Sequence, residues 1–308
     1  MLLSAKNTIS LCIICLVAIN CNIVEYLVGK SYPSSVIMVY SGGIALTMNI
    51  IHAFIKKKRI FPKFWLPQLV RIVIDGASVW LFYESFKYLS ASSVAIVQRM
   101  DIPLLVLISF YAGNSKSSLQ YYLSFWSFLI LAFFVADAKF IDEGIAGFFL
   151  SIGSVALRAT TYFLIQKQTR YEDESVLNIT YLFGILVAGL ILNFSQQQPI
   201  VVAPADLPFF LVGAVSLYII VQLALKLFAW HPAERARLPF VLGAFATMIV
   251  EMIIENKFFS FTQIGLSVLI TGIITTIALN PSPPKRVFTS PKSMKKEDKI
   301  FTDLNNSI

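Results

Sequence analysis

Ten stretches of apolar sequence, most of about twenty residues, run along this chain, and each is closed by a charged or turn-forming break. They fall at residues 8–28, 34–55, 66–88, 91–112, 119–136, 144–165, 175–194, 207–227, 233–254 and 261–279. A hydrocarbon core about 30 Å thick is crossed by roughly 20 helical residues, so each run predicts one membrane-spanning helix. Strands of an outer-membrane barrel alternate apolar and polar positions over about ten residues, whereas these runs are unbroken over about twice that. The pattern therefore predicts an all-α, polytopic membrane protein with ten transmembrane helices. The first run follows Lys6 as in a signal peptide, but it is long and shows no small-residue cleavage site before Glu25, so it reads as the first membrane helix.

Composition agrees: 57% of residues are hydrophobic, 14% are charged and 26 are Phe, with a mean hydropathy of +0.74. A soluble domain of this length has too little interior to hide that much apolar surface. Lysines and arginines fix the expected orientation, because positive residues in short loops stay on the cytoplasmic side. Eleven of them fall in the segments that share a side with the amino terminus, against four on the other side, so both termini are expected in the cytoplasm. After Asn280, Pro281, Pro283 and Pro284 end the last helix, and residues 281–308 read as a basic disordered cytoplasmic tail. Much of the formal charge of +8 comes from this tail and the first inner loop. That distribution implies positive-inside topology and a lipid bilayer as partner, and no nucleic acid, since no aromatic-basic motif accompanies the charge.

Catalytic chemistry is thin. Cys12, Cys15 and Cys21 all lie in the first run and read as small packing residues, while His52 and His231 have no second ligand at metal spacing. No phosphate-cradling loop, nucleophile elbow or zinc signature is present, so neither an enzyme, nor a metal, nor a cofactor is expected.

One short pattern recurs. Gln98-Arg99-Met100-Asp101-Ile102-Pro103 returns as Glu234-Arg235-Ala236-Arg237-Leu238-Pro239, an offset of 136 residues. Five helices separate the copies, and an odd number turns the second copy over in the membrane. This predicts an internally duplicated chain in two inverted halves (5+5), with residues 1–138 as the first five-helix repeat and 139–280 as the second. In that topology Arg99 and Asp101 lie in the outer half of the bilayer and Arg235 and Arg237 in the inner half, so the two repeated arginines flank the midplane.

A charge at the bilayer centre costs about 2.5–3.5 kcal/mol on insertion scales, so deep charges face a cavity or a partner. The candidates are Asp75, Arg99, Asp101, Arg158, Arg235 and Arg237, four basic against two acidic. Arg99 and Asp101 point about 200° apart around a helix and cannot pair with each other. Asp75 and Arg158 fall near the middle of their helices, where they either pair or touch a solute. Tyr83, Trp80, Tyr162 and Tyr218 are candidates for stacking a ring, and Glu25, Glu84, Lys226 and Glu251 lie nearer helix ends, where long side chains snorkel. Pro103 and Pro239 each remove a backbone donor and kink a helix, which makes them candidate hinges.

The chain also resembles the drug/metabolite transporter superfamily, and within it the EamA-type ten-helix carriers. The resemblance rests on Phe86, Tyr88 to Ala95, Pro103, Gly113 and Gln120 in the first half, and on Pro232, Ala233, Arg235, Ala236, Pro239, Gln263 to Gly265 and Gly272 in the second. Members often carry a glutamate where Asn114 stands here, and Glu255 is only loosely placed at the equivalent point of the second half. The resemblance implies a 5+5 fold with a central cavity lined mainly by helices 1, 3, 4, 6, 8 and 9. The expected function is secondary-active transport of a small organic metabolite, anionic or zwitterionic, by alternating access, with the protein multi-pass in the cell (inner) membrane and a homodimer left open. The alternative is a transporter-fold sensor or assembly factor that moves no solute.

Overall fold

In the computed structural model the ten apolar runs become twelve helical segments, because two runs are broken. In chain order these are α1 (Ala5–Gly29), α2 (Ser34–Ile55), α3 (Trp65–Ser85), α4 (Ala91–Gln98), α5 (Asp101–Tyr111), α6 (Ser118–Asp137), α7 (Gly144–Gln168), α8 (Glu174–Gln196), α9 (Leu207–Trp230), α10 (Ala233–Ala236), α11 (Leu238–Glu255) and α12 (Phe261–Leu279). The structure describes residues 5–111, 118–137, 144–169, 171–197, 199–231, 233–255, 259 and 261–279, and among them there is no strand. The expected tail at 281–308 lies outside the described residues, as do Gly113, Asn114, Pro232 and the side chain of Glu255.

Six of the spans are long and apolar enough to cross a membrane by themselves: α1, α2, α4 with α5 taken together, α7, α8 and α9. Large apolar side chains face outward, and several charged and amide groups lie inside. Phe261, Phe194 and Tyr111 are 96%, 79% and 78% exposed, whereas Arg71, Asp75, Gln98 and Asp101 are buried. An apolar exterior with charged and amide groups buried inside an otherwise apolar core is compatible with a multi-pass membrane protein, since lipid solvates the first and excludes the polar groups.

Both breaks fall just ahead of the repeated prolines. Pro103 has no N–H to offer the Arg99 carbonyl one turn back, and that carbonyl accepts instead from Ile102 N at 3.3 Å. Arg99 N and Met100 N in turn donate to Ile96 and Val97 at 3.0 Å each, the tight spacing of a 3₁₀ turn. In the second run Phe240 N donates to the Arg237 carbonyl at 3.0 Å, again three residues back. Both runs are thus interrupted within a few residues of the repeated prolines, the first at Arg99 and Met100 and the second at Arg237.

Packing places α2 against α8, α6 against α12, α1 between α9 and α11, and α7 against α3, α4 and α5. Helices approach closely in lipid where side chains are small. A Cβ on Gly184 of α8 would lie 2.7 Å from the Ile72 carbonyl oxygen, and one on Gly76 of α3 would lie 2.7 Å from the Gly184 carbonyl oxygen, so the two backbones touch. The connections sort to two ends. Tyr32, after α1, donates to Asp206, before α9, at 2.8 Å. At the opposite end Glu172, between α7 and α8, accepts from Lys63 N and Phe64 N at 2.8 and 3.2 Å and covers the open amino end of α3.

Gly184→Ala puts a methyl into that contact, where neither backbone can retreat. It should cost about 1–3 kcal/mol, read as a drop of several degrees in the detergent melting temperature. Gly265→Ala, at a position with open space around it, should leave the melt unchanged.

Candidate functional site

A cavity of about 130 Å³ lies between α1, α3, α7, α8 and α9 and is closed on one side by the two helix breaks, with Arg99 at the first and Arg237 at the second. Its wall includes the six spans expected from the sequence, and α8 in addition. It is a mostly apolar chamber into which a few charged and hydroxyl groups point.

On α3, positions four apart share a face, which brings Arg71 and Asp75 to the cavity together. Arg71 Nη2 lies 3.2 Å from Asp75 Oδ2, with both side chains buried. The other carboxylate oxygen accepts from Thr161 Oγ1 at 2.7 Å. Arg71 also donates to Gln168 Oε1 at 3.2 Å and to the Leu177 carbonyl at 3.3 Å. Asp75 therefore has a partner on each oxygen, and its partner is Arg71 rather than Arg158, the mate considered from the sequence. Arg71 is absent from the sequence candidates, and its i,i+4 spacing to Asp75 is the signal that identifies it.

The second ion pair links the two breaks. Arg237 Nε and Nη2 donate to Asp101 Oδ2 at 3.0 and 2.5 Å, and both residues are buried. The guanidinium lies 3.8 Å from the Phe240 ring centroid and 4.4 Å from that of Tyr162, so aromatic rings flank the buried charge. Asp101 and Arg237 are 136 residues apart, the offset of the repeat, and are thus equivalent positions of the two copies.

Two arginines remain. Arg99, 4% exposed, donates Nε to the Ala95 carbonyl at 2.9 Å, and its Nη1 is buried with no hydrogen-bond partner. Arg158 lines the cavity with its guanidinium 5.0 Å from the Phe82 ring centroid. Among the described residues no carboxylate pairs with either. Arg235, expected as the counterpart of Arg99, lies outside the cavity: it is exposed and donates Nη2 to the Leu279 carbonyl at 3.0 Å, at the end of α12. Arg99 and Arg235 therefore do not face each other across one chamber. The residues that do meet are Asp101 and Arg237.

Of the aromatic candidates, Tyr83 and Tyr162 line the cavity and Trp80 and Tyr218 do not; the Tyr218 hydroxyl is 2.9 Å from His52 Nδ1 instead. Tyr181 and Asn178 line it without having been singled out. Glu84 pairs with Lys87 at 2.6 Å near the surface, as a helix-end residue does. Glu251 departs from that expectation. It is fully buried and accepts from Ser92 N at 2.8 Å, capping the amino end of α4. Pro103 and Pro239 are both buried beside the breaks.

No family model matches this chain, and no curated protein matches it. Among solved structures, 23 chains match. One, described only as "Crystal structure of protein", superposes with a TM-score of 0.62 at 11% identity, covering 90% of this chain and 98% of that one. Likeness at that identity shows a shared fold.

Asp101→Ala leaves the Arg237 charge buried without its partner and should cost about 3–5 kcal/mol, far more than the deletion of a surface charge. The double change Asp101→Leu with Arg237→Met removes both charges and should recover most of that loss in the same detergent melts.

Proposed function

We propose that this protein is a secondary-active transporter of a small anionic or zwitterionic organic metabolite, working by alternating access through the central cavity. The observation that carries the reading is the buried cavity with Arg99 and Arg158 on its wall and no carboxylate against either. Two uncompensated guanidinium groups in a low-dielectric chamber are costly unless an anion visits them, and a transport site is where such a cost is regularly tolerated.

The second support is pseudo-symmetry. When each span is exchanged for the one five further along, α2 against α8 and α6 against α12 map onto themselves. The contacts of α1 with α9 and α11 likewise exchange with those of α7 with α3 and with α4 and α5. Two inverted five-helix repeats account for that, with the first spanning about 1–138 and the second about 139–280. The end carrying Lys56, Lys57, Lys58 and Lys167 is the cytoplasmic one by the positive-inside rule, and both termini belong there.

In this mechanism the halves rock about the region where Asp101 holds Arg237, with the kinks before Pro103 and Pro239 as hinges, and the solute is held by Arg99 and Arg158. Bidentate guanidinium hydrogen bonds suit a carboxylate or phosphate.

Purified protein in liposomes should accumulate a labelled organic anion, and Arg99→Ala should reduce uptake at least about 100-fold while the melt stays within a few degrees. Arg235→Ala should transport at close to the parent rate, because Arg235 lies outside the cavity. Uptake of cations alone would overturn the charge argument, and ligand binding without movement of any solute would replace the transporter by a sensor.

A further inference from the structure

The hydrogen-bond inventory of the cavity bears on the charge of its occupant. Four arginines and one aspartate line it, and a second aspartate holds one of those arginines from behind. Arg71 is neutralised by Asp75 and Arg237 by Asp101. Arg99 and Arg158 are left, two positive charges without a carboxylate among the described residues. Glu25, one turn beyond Cys21 on α1, does not line the cavity.

Acceptors tell the same story from the other side. An ammonium group needs a carboxylate or several free carbonyl oxygens, but Asp75 Oδ2 is taken by Arg71 and Oδ1 by Thr161. Donors outnumber acceptors: Arg99 Nη1 is buried without a partner and the hydroxyls of Tyr83, Tyr162 and Tyr181 belong to residues of the same wall, while Asn178 Oδ1, also buried without a partner, is one neutral oxygen where an ammonium needs several. The space is small. Its volume of about 130 Å³ is below the ~300–1,000 Å³ of a pocket for a drug-sized ligand.

We infer that the occupant is a small dianion, one negative charge for each of Arg99 and Arg158, carried either as two carboxylates or as a single phosphate-type group, and that the site rejects zwitterions. This rests on the cavity being the solute site of the proposed transporter and narrows its substrate class. A monoanion would leave one of the two cavity guanidinium groups without a counter-charge. A zwitterion would add an ammonium where both oxygens of the lining carboxylate, Asp75, are already engaged.

The test uses the full chain in detergent at pH 8, with thermal shift reporting binding of defined probes. Succinate and butyrate share a skeleton and differ in one charge, and 4-aminobutyrate replaces that second charge with an ammonium. Methyl phosphate and dimethyl phosphate form the corresponding single-centre pair. Succinate or methyl phosphate should bind at least about tenfold tighter than its monoanionic counterpart, and which of the two does so distinguishes a dicarboxylate from a phosphate site. 4-Aminobutyrate should give no shift. Arg99→Gln, and independently Arg158→Gln, should bring dianion and monoanion to within about threefold of each other, so either variant alone suffices if the other does not fold. Equal or tighter binding of butyrate, dimethyl phosphate or 4-aminobutyrate by the parent protein overturns the dianion inference and leaves the transporter reading standing. The absence of a shift with all five, together with no anion uptake by liposomes, overturns both.

Discussion

A single buried ion pair, Arg237 with Asp101, ties the two interrupted helices together, and much of the interior is arranged around it. Each charge alone at this depth would cost several kcal/mol. The geometry limits that cost: two donors of one guanidinium share Asp101 Oδ2, and the rings of Phe240 and Tyr162 flank the group. The pair also sits at the two points where the helical hydrogen-bond ladder is interrupted ahead of Pro103 and Pro239. A kink loosens the backbone locally, and an ion pair fixes two such kinks against each other. The other buried pair, Arg71 with Asp75, lies within one helix and fastens α3 to α7 and α8 through Thr161 and the Leu177 carbonyl.

These two pairs sort the arginines of the interior. Arg71 and Arg237 have carboxylates and are fixed parts of the framework. Arg99 has one backbone carbonyl for Nε and nothing for Nη1, and Arg158 has the face of Phe82. An aromatic face stabilises a cation by about 0.5–2 kcal/mol, less than the hydration it has lost, so Arg158 remains open to a stronger partner. The difference between a structural and a binding arginine here lies in what stands opposite, since all four are lodged in the same wall.

How much of this was legible in the sequence depends on which physical constraint spoke. The bilayer demands long apolar runs, so the helical segments stood out, and even the broken ones kept their outer limits. The breaks were foreshadowed by Pro103 and Pro239, whose missing N–H acts locally. Pairing was harder to read, because it depends on which face of a helix looks inward. Arg99 and Asp101 lie about 200° apart on a helical wheel, and the sequence does not say which of the two directions faces the other half. The repeat drew attention to Arg99 and Arg235, which are alike, whereas the residues that meet are Asp101 and Arg237, which are unlike. Arg71 was legible through its i,i+4 spacing to Asp75. Glu251 was not, since nothing near it in the chain reveals that the amino end of α4 lies against it.

If the halves are two-fold related, as proposed, the meeting of unlike residues at equivalent positions follows from symmetry. Where a pseudo-two-fold axis relates two halves, positions close to the axis lie next to their own counterparts, and positions further off do not. Identical side chains on the axis would place like charges together, which in a low dielectric costs more than either charge alone. A duplicated segment with a charge at such a point is stable only if the copies diverge to opposite signs or to neutral residues. Asp101 and Arg237 are the first solution. On the proposed symmetry Arg99 and Arg235 lie off the axis, where one turns into the cavity and the other reaches the Leu279 carbonyl at the end of α12. On the proposed mechanism the same geometry has a kinetic consequence. A pair on the rocking axis changes its separation least as the halves tilt, so it need not break in the cycle. The contacts that must break are those away from the axis, such as Glu251 against Ser92 and Gln98 against Ser151. Those are hydrogen bonds with a neutral group on at least one side, two from Gln98 to Ser151 and one from Ser92 N to Glu251, weaker than the ion pair, as the moving parts of such a device need to be.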